Sequence, residues 1–105
     1  MYPLAENGQS YLGHLPIPTE YSLEQNYPNP FNPVTTIRYV LPARSYVTLA
    51  VFDILGQQVA LLQKGEQGAG DHEVQFDAKG LPSGVYMYRM NAGSYAETKR
   101  LIVLR

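Results

Sequence analysis

Few side chains in this 105-residue chain are of the types that carry out catalysis or hold a metal ion. It has two histidines, His14 and His72, and no cysteine, so disulfides and thiolate sites are excluded. A zinc site needs several clustered ligands, and neither histidine has a second histidine or a carboxylate cluster at ligand spacing. We therefore expect no metal site and no cofactor, and we interpret His72 as an exposed turn residue beside a glycine-rich loop.

Two aspartates, Asp53 and Asp77, each begin a short segment that ends in glycine. Their side chains are expected to accept hydrogen bonds from turn N–H groups. The alternative is a calcium site of loop carboxylates and carbonyls, which no Asp-rich loop supports. Ser83 has no partner base, and the chain has no nucleophile elbow, phosphate loop or dinucleotide fingerprint. We predict no catalytic residues and no enzyme activity.

Nine tyrosines suggest a different chemistry, the stacking of aromatic rings on sugars. Tyr86 and Tyr88 are two residues apart in a strand-like run and would share one face. Met90 shares that face, which favours packing in a core or interface. Exposed coplanar tyrosines would instead indicate a carbohydrate-binding module. The tyrosines expected to be exposed, which show no common spacing, are Tyr2, Tyr11, Tyr46 and Tyr95.

Short strands must position these side chains, because no long segment has a helical period and strand-like runs alternate with turns every roughly 8–12 residues. The predicted strands are 21–25 (short, at an edge), 36–41, 46–52, 57–62, 72–76, 85–91 and 94–104. Both faces of 46–52 carry apolar residues, so we expect it to be central. Gly65, Gly68 and Gly70 predict a flexible loop. The pattern predicts an all-β fold, an antiparallel β-sandwich of about seven strands.

Composition and length limit the kind of protein this is. Residues 1–20, rich in glycine and proline without a period, are predicted to link an upstream domain to a single domain at 21–105. The net charge is −1 without basic runs, so nucleic-acid binding is not expected. No apolar stretch is long enough to span a membrane. The first residues do not resemble a signal peptide, so we expect any export signal to lie upstream in a longer protein.

The segment QNYPNPFNP at 25–33 is the most distinctive stretch. Its three prolines exclude a helix interior or a central strand, and its asparagines can bond to nearby backbone. We expect Phe31 to lie in the core, the alternative being that Asn29 and Asn32 form a recognition surface. The residues of this motif singled out as structural are Asn26, Pro28, Asn29, Pro30, Phe31, Asn32 and Pro33.

From residue 21 the chain resembles the type A C-terminal sorting domain of cargo proteins exported by the type IX secretion system of Bacteroidetes and relatives. The matching segments are LEQNYPNPFNPVTTIRYVLP (23–42), VTLAVFDILGQQV (47–59), GLPSGVYMYRM (80–90) and ETKRLIVLR (97–105). They occur in the family's order and spacing and end at the chain terminus. The resemblance implies an immunoglobulin-like β-sandwich.

The resemblance also implies partners and a route. The exported cargo would cross the periplasm and reach the cell surface or medium through the outer-membrane secretion translocon and its shuttle proteins. Surface lipopolysaccharide could become attached after processing. Arg105 stands where members often have lysine. The residues that the resemblance assigns to translocon recognition are Gly84, Val85, Tyr86, Lys99, Leu101, Val103 and Arg105.

A terminal strand suits recognition because an edge strand has unpaired N–H and C=O groups that a partner strand can bind. The basic residues around Leu101–Leu104 would discourage self-association at that edge. Two other functions stay open at this point, a carbohydrate-binding module of a secreted glycoside hydrolase and a structural immunoglobulin-like spacer.

Overall fold

The computed structural model describes residues 19–105, which form seven strands. The predicted linker at 1–20 lies outside the described residues except for its last two. The strands are β1 (Ser22–Leu23), β2 (Val34–Leu41), β3 (Ser45–Phe52), β4 (Gln58–Gln67), β5 (Gly70–Asp77), β6 (Gly84–Ala92) and β7 (Tyr95–Val103).

The strands form two antiparallel sheets packed face to face. One sheet has three strands in the order β1-β2-β5, and the other has four in the order β4-β3-β6-β7. The prediction that the strand at 46–52 is central is confirmed, since β3 pairs with both β4 and β6. The all-β, immunoglobulin-like sandwich is thus confirmed, and β1 is the short edge strand.

Alternating apolar residues build the core between the sheets. Every second residue of β2, β3 and β6 points inward, as the sequence pattern predicts. Full burial of such a side chain contributes roughly 1.5–3 kcal/mol. The fully buried members from these strands are Ile37, Tyr39, Leu41, Val47, Leu49, Val51, Tyr88, Met90 and Ala92.

Both predicted aspartate turns are confirmed. Asp53 Oδ1 accepts hydrogen bonds from the N–H groups of Leu55 and Gln57, each at 2.9 Å. Gly56 closes this turn at a φ of 83°, a conformation that favours glycine. Asp77 Oδ1 accepts the N–H of Lys79 at 2.9 Å. These carboxylates therefore stabilise turns.

The predicted loop containing Gly65, Gly68 and Gly70 is wrong at both ends. Gly65 lies inside β4 opposite Val47, and β5 begins at Gly70, which leaves only residues 68 and 69 between the strands. Edge strand β4 buries few side chains here, so it shows no apolar alternation that could reveal it in the sequence.

The expectation for His72 is also wrong. The residue lies in β5 and is half-buried, because its ring stacks on that of Tyr39 with centroids 5.3 Å apart. Its Nε2 lies 2.8 Å from the carbonyl oxygen of Gly68. Both ring contacts make His72 part of the structure around the β4–β5 turn.

Replacing Gly84 with alanine is expected to cost about 1–3 kcal/mol of stability, because Gly84 has a φ of 154° that other residues rarely adopt. The space around its Cα is open, so backbone strain alone should cause the loss. Gly68→Ala is the matched control, since Gly68 has no positive φ and no atom crowding a Cβ. Thermal unfolding of the two variants checks this. Equal melting temperatures would contradict it.

Candidate functional site

Strands β6 and β7 bring together the two segments to which recognition is assigned. Gly84 lies opposite Val103, and Tyr86 lies opposite Leu101 in the antiparallel register. Lys99 lies further along β7, opposite Tyr88. The last two strands of the domain therefore carry most of the predicted recognition residues as one unit.

Burial divides these residues into two groups. The side chains of Tyr86, Leu101 and Val103 point into the core, where 6% or less of each residue is exposed. Val85 points outward and is 40% exposed. A partner of the folded domain can touch Val85 directly, whereas the three buried residues act through the fold. Their assignment to translocon recognition stays a prediction.

The proline-rich segment packs against the end of β7. Phe31 is 3% exposed, which confirms its place in the core, and its ring lies 6.0 Å from that of Phe76. Its N–H donates to the carbonyl of Ile102 at 3.1 Å, and its own carbonyl accepts the N–H of Leu104 at 3.0 Å. The segment thus continues the four-stranded sheet beyond β7, in parallel orientation at Val103.

Asparagine and glutamine side chains form hydrogen bonds with further backbone groups at the outer edge of β7. Asn29 Oδ1 accepts the N–H of Ile102 at 2.9 Å, and Gln25 Nε2 donates to the carbonyl of Arg100 at 2.7 Å. The last strand is an edge strand of the sheet, but the expectation of free backbone groups is wrong for its end, since the chain's own residues bind them. Asn32 is exposed and Asn29 is half-buried.

Asn26 links the same segment to both sheets. Its N–H donates to the Tyr88 hydroxyl at 2.8 Å, and that hydroxyl donates to the carbonyl of Glu24 at 2.6 Å. Its side-chain amide donates to Thr35 Oγ1 at 2.9 Å and to the Pro28 carbonyl at 3.2 Å. Burial raises the pKa of Tyr88 to about 12, so its hydroxyl stays protonated at neutral pH.

Arg105 bonds to the connection between β5 and β6. Its Nε donates to the carbonyl of Leu81 at 2.8 Å and one terminal nitrogen to that of Ala78 at 3.0 Å. The backbone N–H of Arg105 also donates to Ser83 Oγ at 2.9 Å. The planar guanidinium suits two carbonyls at once, so Arg105 has a structural task besides any role in recognition.

Replacing Arg105 with lysine is therefore expected to lower the free energy of unfolding by about 1 kcal/mol, because one ammonium cannot reproduce the forked pair of bonds. Urea unfolding checks this. Arg44→Lys is the control, since among residues 19–105 Arg44 forms an exposed ion pair with Glu66, which should tolerate the change. The same loss in both variants would contradict the role given to Arg105.

Lys99 lies beside an acidic and an aromatic residue on β7. Its Nζ is 3.3 Å from Glu97 Oε2, and the Tyr95 hydroxyl donates to Glu97 Oε1. The hydrogen bond from Tyr95, together with Lys99, lowers the pKa of the Glu97 carboxyl. Tyr95 stacks on Tyr21 with centroids 5.2 Å apart and is half-buried, which corrects the expectation that it is exposed.

The expectation that Tyr86 and Tyr88 pack in the core is confirmed. Tyr86 and Tyr88 are both buried, which removes the feature that would favour a carbohydrate-binding module. Tyr46 is exposed as expected, while Tyr2 and Tyr11 lie outside the described residues.

The outer face of the three-stranded sheet has an open groove of about 330 Å³. The Arg38–Glu73 ion pair lies in its lining.

Within residues 19–105 no group of three potential ligand side chains is arranged to hold a metal ion. Nor does this part of the chain form a helix suited to crossing a membrane.

Comparison with protein families agrees with this arrangement. The family model described as secretion system C-terminal sorting domain matches residues 25–104, from the start of the proline-rich motif to the residue after the last strand. The chain belongs to this family. Membership in this sorting-domain family means that the domain is a C-terminal signal for type IX secretion, that its protein is exported, and that it interacts with the type IX machinery. The family is in general not catalytic. No curated protein matches the sequence.

Several residues of the sorting-domain motifs stabilise the fold of this domain. The motif residues Asn26, Asn29 and Phe31 bind β6 and β7 or support them from the core, and Arg105 binds the connection before β6. Sequence reasoning missed Thr35 and the Tyr88 hydroxyl as partners of Asn26. The residues around Asn26 in the sequence do not indicate hydrogen bonds to partners 9 and 62 positions away.

Proposed function

We propose that this domain directs an attached cargo protein through the outer membrane by the type IX translocon and on to the cell surface or the medium. The observation that carries the proposal is the match to the sorting family over residues 25–104. The pairing of β6 with β7, which joins GVY to the terminal run, supports it.

The domain would act by binding, since the side chains considered for catalysis have structural partners. Within 19–105 the aspartates of the turns, Ser83 and His72 all have structural partners. The cargo would be held in cis through residues 1–20. The shuttle proteins and translocon would contact the exposed parts of the last two strands, where Val85 is accessible. Attachment to surface lipopolysaccharide would follow removal of the domain.

The experiment that tests the proposal uses a reporter with an N-terminal signal peptide, fused to residues 1–105. It is produced in a bacterium with a working type IX system, beside the same reporter without the domain. We expect the fusion on the surface or in the medium and the plain reporter in the periplasm. Retention of both in the periplasm, with the domain folded, would contradict the proposal, as would release of both.

Truncation is a poor test of the same proposal. Removing residues 99–105 would delete Leu101 and Val103 from the core and leave Phe31 without its backbone partners. A truncated domain would then fail by unfolding whatever its role. Substitutions at exposed positions separate recognition from folding.

A further inference from the structure

The outer face of the four-stranded sheet carries a row of apolar side chains turned away from the core. Leu61 is 51% exposed and Val85 is 40% exposed, while the other members are half-buried. We call this row the outer apolar stripe, and its members are Phe52, Leu61, Val85, Met87 and Ile102.

Strand pairing joins four members of the stripe, and Leu61 lies beside them on β4. Phe52 lies opposite Met87, and Val85 lies opposite Ile102. Val85 and Met87 are two residues apart on β6 and share a face, so the two pairs are adjacent. Large contiguous apolar patches on the surface of soluble domains mark interaction sites.

Two arginines lie next to the stripe. Arg100 lies opposite Met87 across the β6–β7 ladder, and Arg89 lies opposite Ala50 across the β3–β6 ladder. The Arg89 guanidinium donates to Thr98 Oγ1 at 3.2 Å. Neither arginine belongs to the ion pairs formed among residues 19–105, which are Arg38–Glu73, Arg44–Glu66 and Lys99–Glu97.

We propose that the outer apolar stripe, with Arg89 and Arg100, is the surface that binds a protein partner presenting apolar side chains flanked by carboxylates. The proposal rests on the proposed function, because the partner would be a component of the export machinery. Arginine binds carboxylates with two parallel hydrogen bonds. Aromatic residues, methionine and arginine are enriched at the centres of protein interfaces, and all three occur here.

Charge decides between this partner and two others. A second copy bound face to face about a two-fold axis would bring the same unpaired arginines into one interface, where they repel. An anionic lipid surface is usually bound by clusters of about 4–8 basic residues, and this face offers fewer. A protein surface with apolar side chains and carboxylates can bury the stripe and form hydrogen bonds with both guanidinium groups.

The stripe also gives the recognition motif an accessible part. Val85 comes from GVY and Ile102 from the terminal run, the segments in which recognition residues are predicted. Their neighbours Tyr86, Leu101 and Val103 are buried. A partner on this face would touch the outward residues of both segments at once.

The test measures export of the reporter fusion by pulse–chase in a type IX host. One variant carries Arg89→Gln and Arg100→Gln, and a second carries Val85→Thr, which keeps the shape of the side chain. The control is Lys79→Glu, which changes the net charge as much as the double variant does but lies in the exposed turn after β5. Urea unfolding of each purified domain confirms that it is folded.

We expect the double variant to slow export at least about tenfold and Val85→Thr to slow it about fivefold, with the control at the wild-type rate. Wild-type export rates in both folded variants would overturn this inference and leave the proposed function intact. Failure of the wild-type fusion to leave the periplasm would overturn the proposed function, and this partner with it.

A binding assay separates the lipid alternative. Purified domain is sedimented with phosphatidylglycerol vesicles, and we expect it to stay in the supernatant. Binding of the wild type that is lost in the arginine double variant would assign the face to an anionic lipid surface and overturn the protein partner.

Discussion

Replacing Phe31 with alanine is expected to lower the free energy of unfolding by about 3–5 kcal/mol, because a buried aromatic ring is lost and a cavity forms beside Phe76. A domain of this size has a total stability of roughly 4–13 kcal/mol, so the variant will be close to unfolding. Urea unfolding followed by circular dichroism measures the change.

Tyr27→Ala is the matched control from the same motif. Tyr27 is 76% exposed, so removing its ring is expected to change stability by no more than about 0.5 kcal/mol. Losses of similar size in both variants would contradict the role of Phe31 as the residue that fixes the proline-rich segment to the core. An unchanged Phe31 variant would contradict it as well.

Replacing Tyr88 with phenylalanine is expected to cost about 2–4 kcal/mol, although only one oxygen is removed. That hydroxyl accepts the N–H of Asn26 and donates to the carbonyl of Glu24. Its loss leaves a buried N–H without a partner, which costs about 1–3 kcal/mol, together with the smaller loss at the carbonyl.

Tyr86→Phe is the corresponding control on the same strand. The Tyr86 hydroxyl makes one bond, to the carbonyl of Pro82 at 2.8 Å in a half-exposed turn, so its removal should cost about 0.5–1.5 kcal/mol. Thermal unfolding resolves the difference, since 1 kcal/mol shifts the melting temperature of such a domain by roughly 4–8 °C. A larger loss for Tyr86 than for Tyr88 would contradict the importance of the Asn26 network.

Alternation and turn chemistry were enough to predict the sandwich. Strands β2, β3 and β6 bury one face each, so their inward residues recur at every second position and are visible in the sequence. Asp53 and Asp77 mark turns through bonds to residues close by in the chain. In both cases the cause of the structure lies within a few residues.

The failures occur where structure depends on distant residues or on little burial. The second half of β4 is held by backbone pairing with β3 at the edge of the sheet, and the sequence around Gly65 does not reveal that pairing. His72 is half-buried because Tyr39 from another strand lies under it. The periodicity of the local sequence indicates neither the pairing of Gly65 nor the stacking of His72 on Tyr39.

The candidate site shows the same division. The prediction that Phe31 lies in the core follows from its apolar side chain within a rigid, turn-rich segment. The bonds from Asn29 to Ile102 and from Arg105 to Leu81 span the domain, and they turn predicted recognition residues into residues that also stabilise the end of β7. The outer apolar stripe depends on the strand register, which places Val85 beside Ile102 and which no local pattern in the sequence determines.

Dependence on the type IX translocon is the most direct test of the account. The reporter fused to residues 1–105 is produced in a type IX host and in the same host lacking the outer-membrane translocon, and reporter outside the cell is measured in both. We predict delivery in the first host and periplasmic retention of folded fusion in the second. Equal delivery in both hosts, or retention in both, would contradict the conclusion that this domain sorts its cargo by type IX secretion.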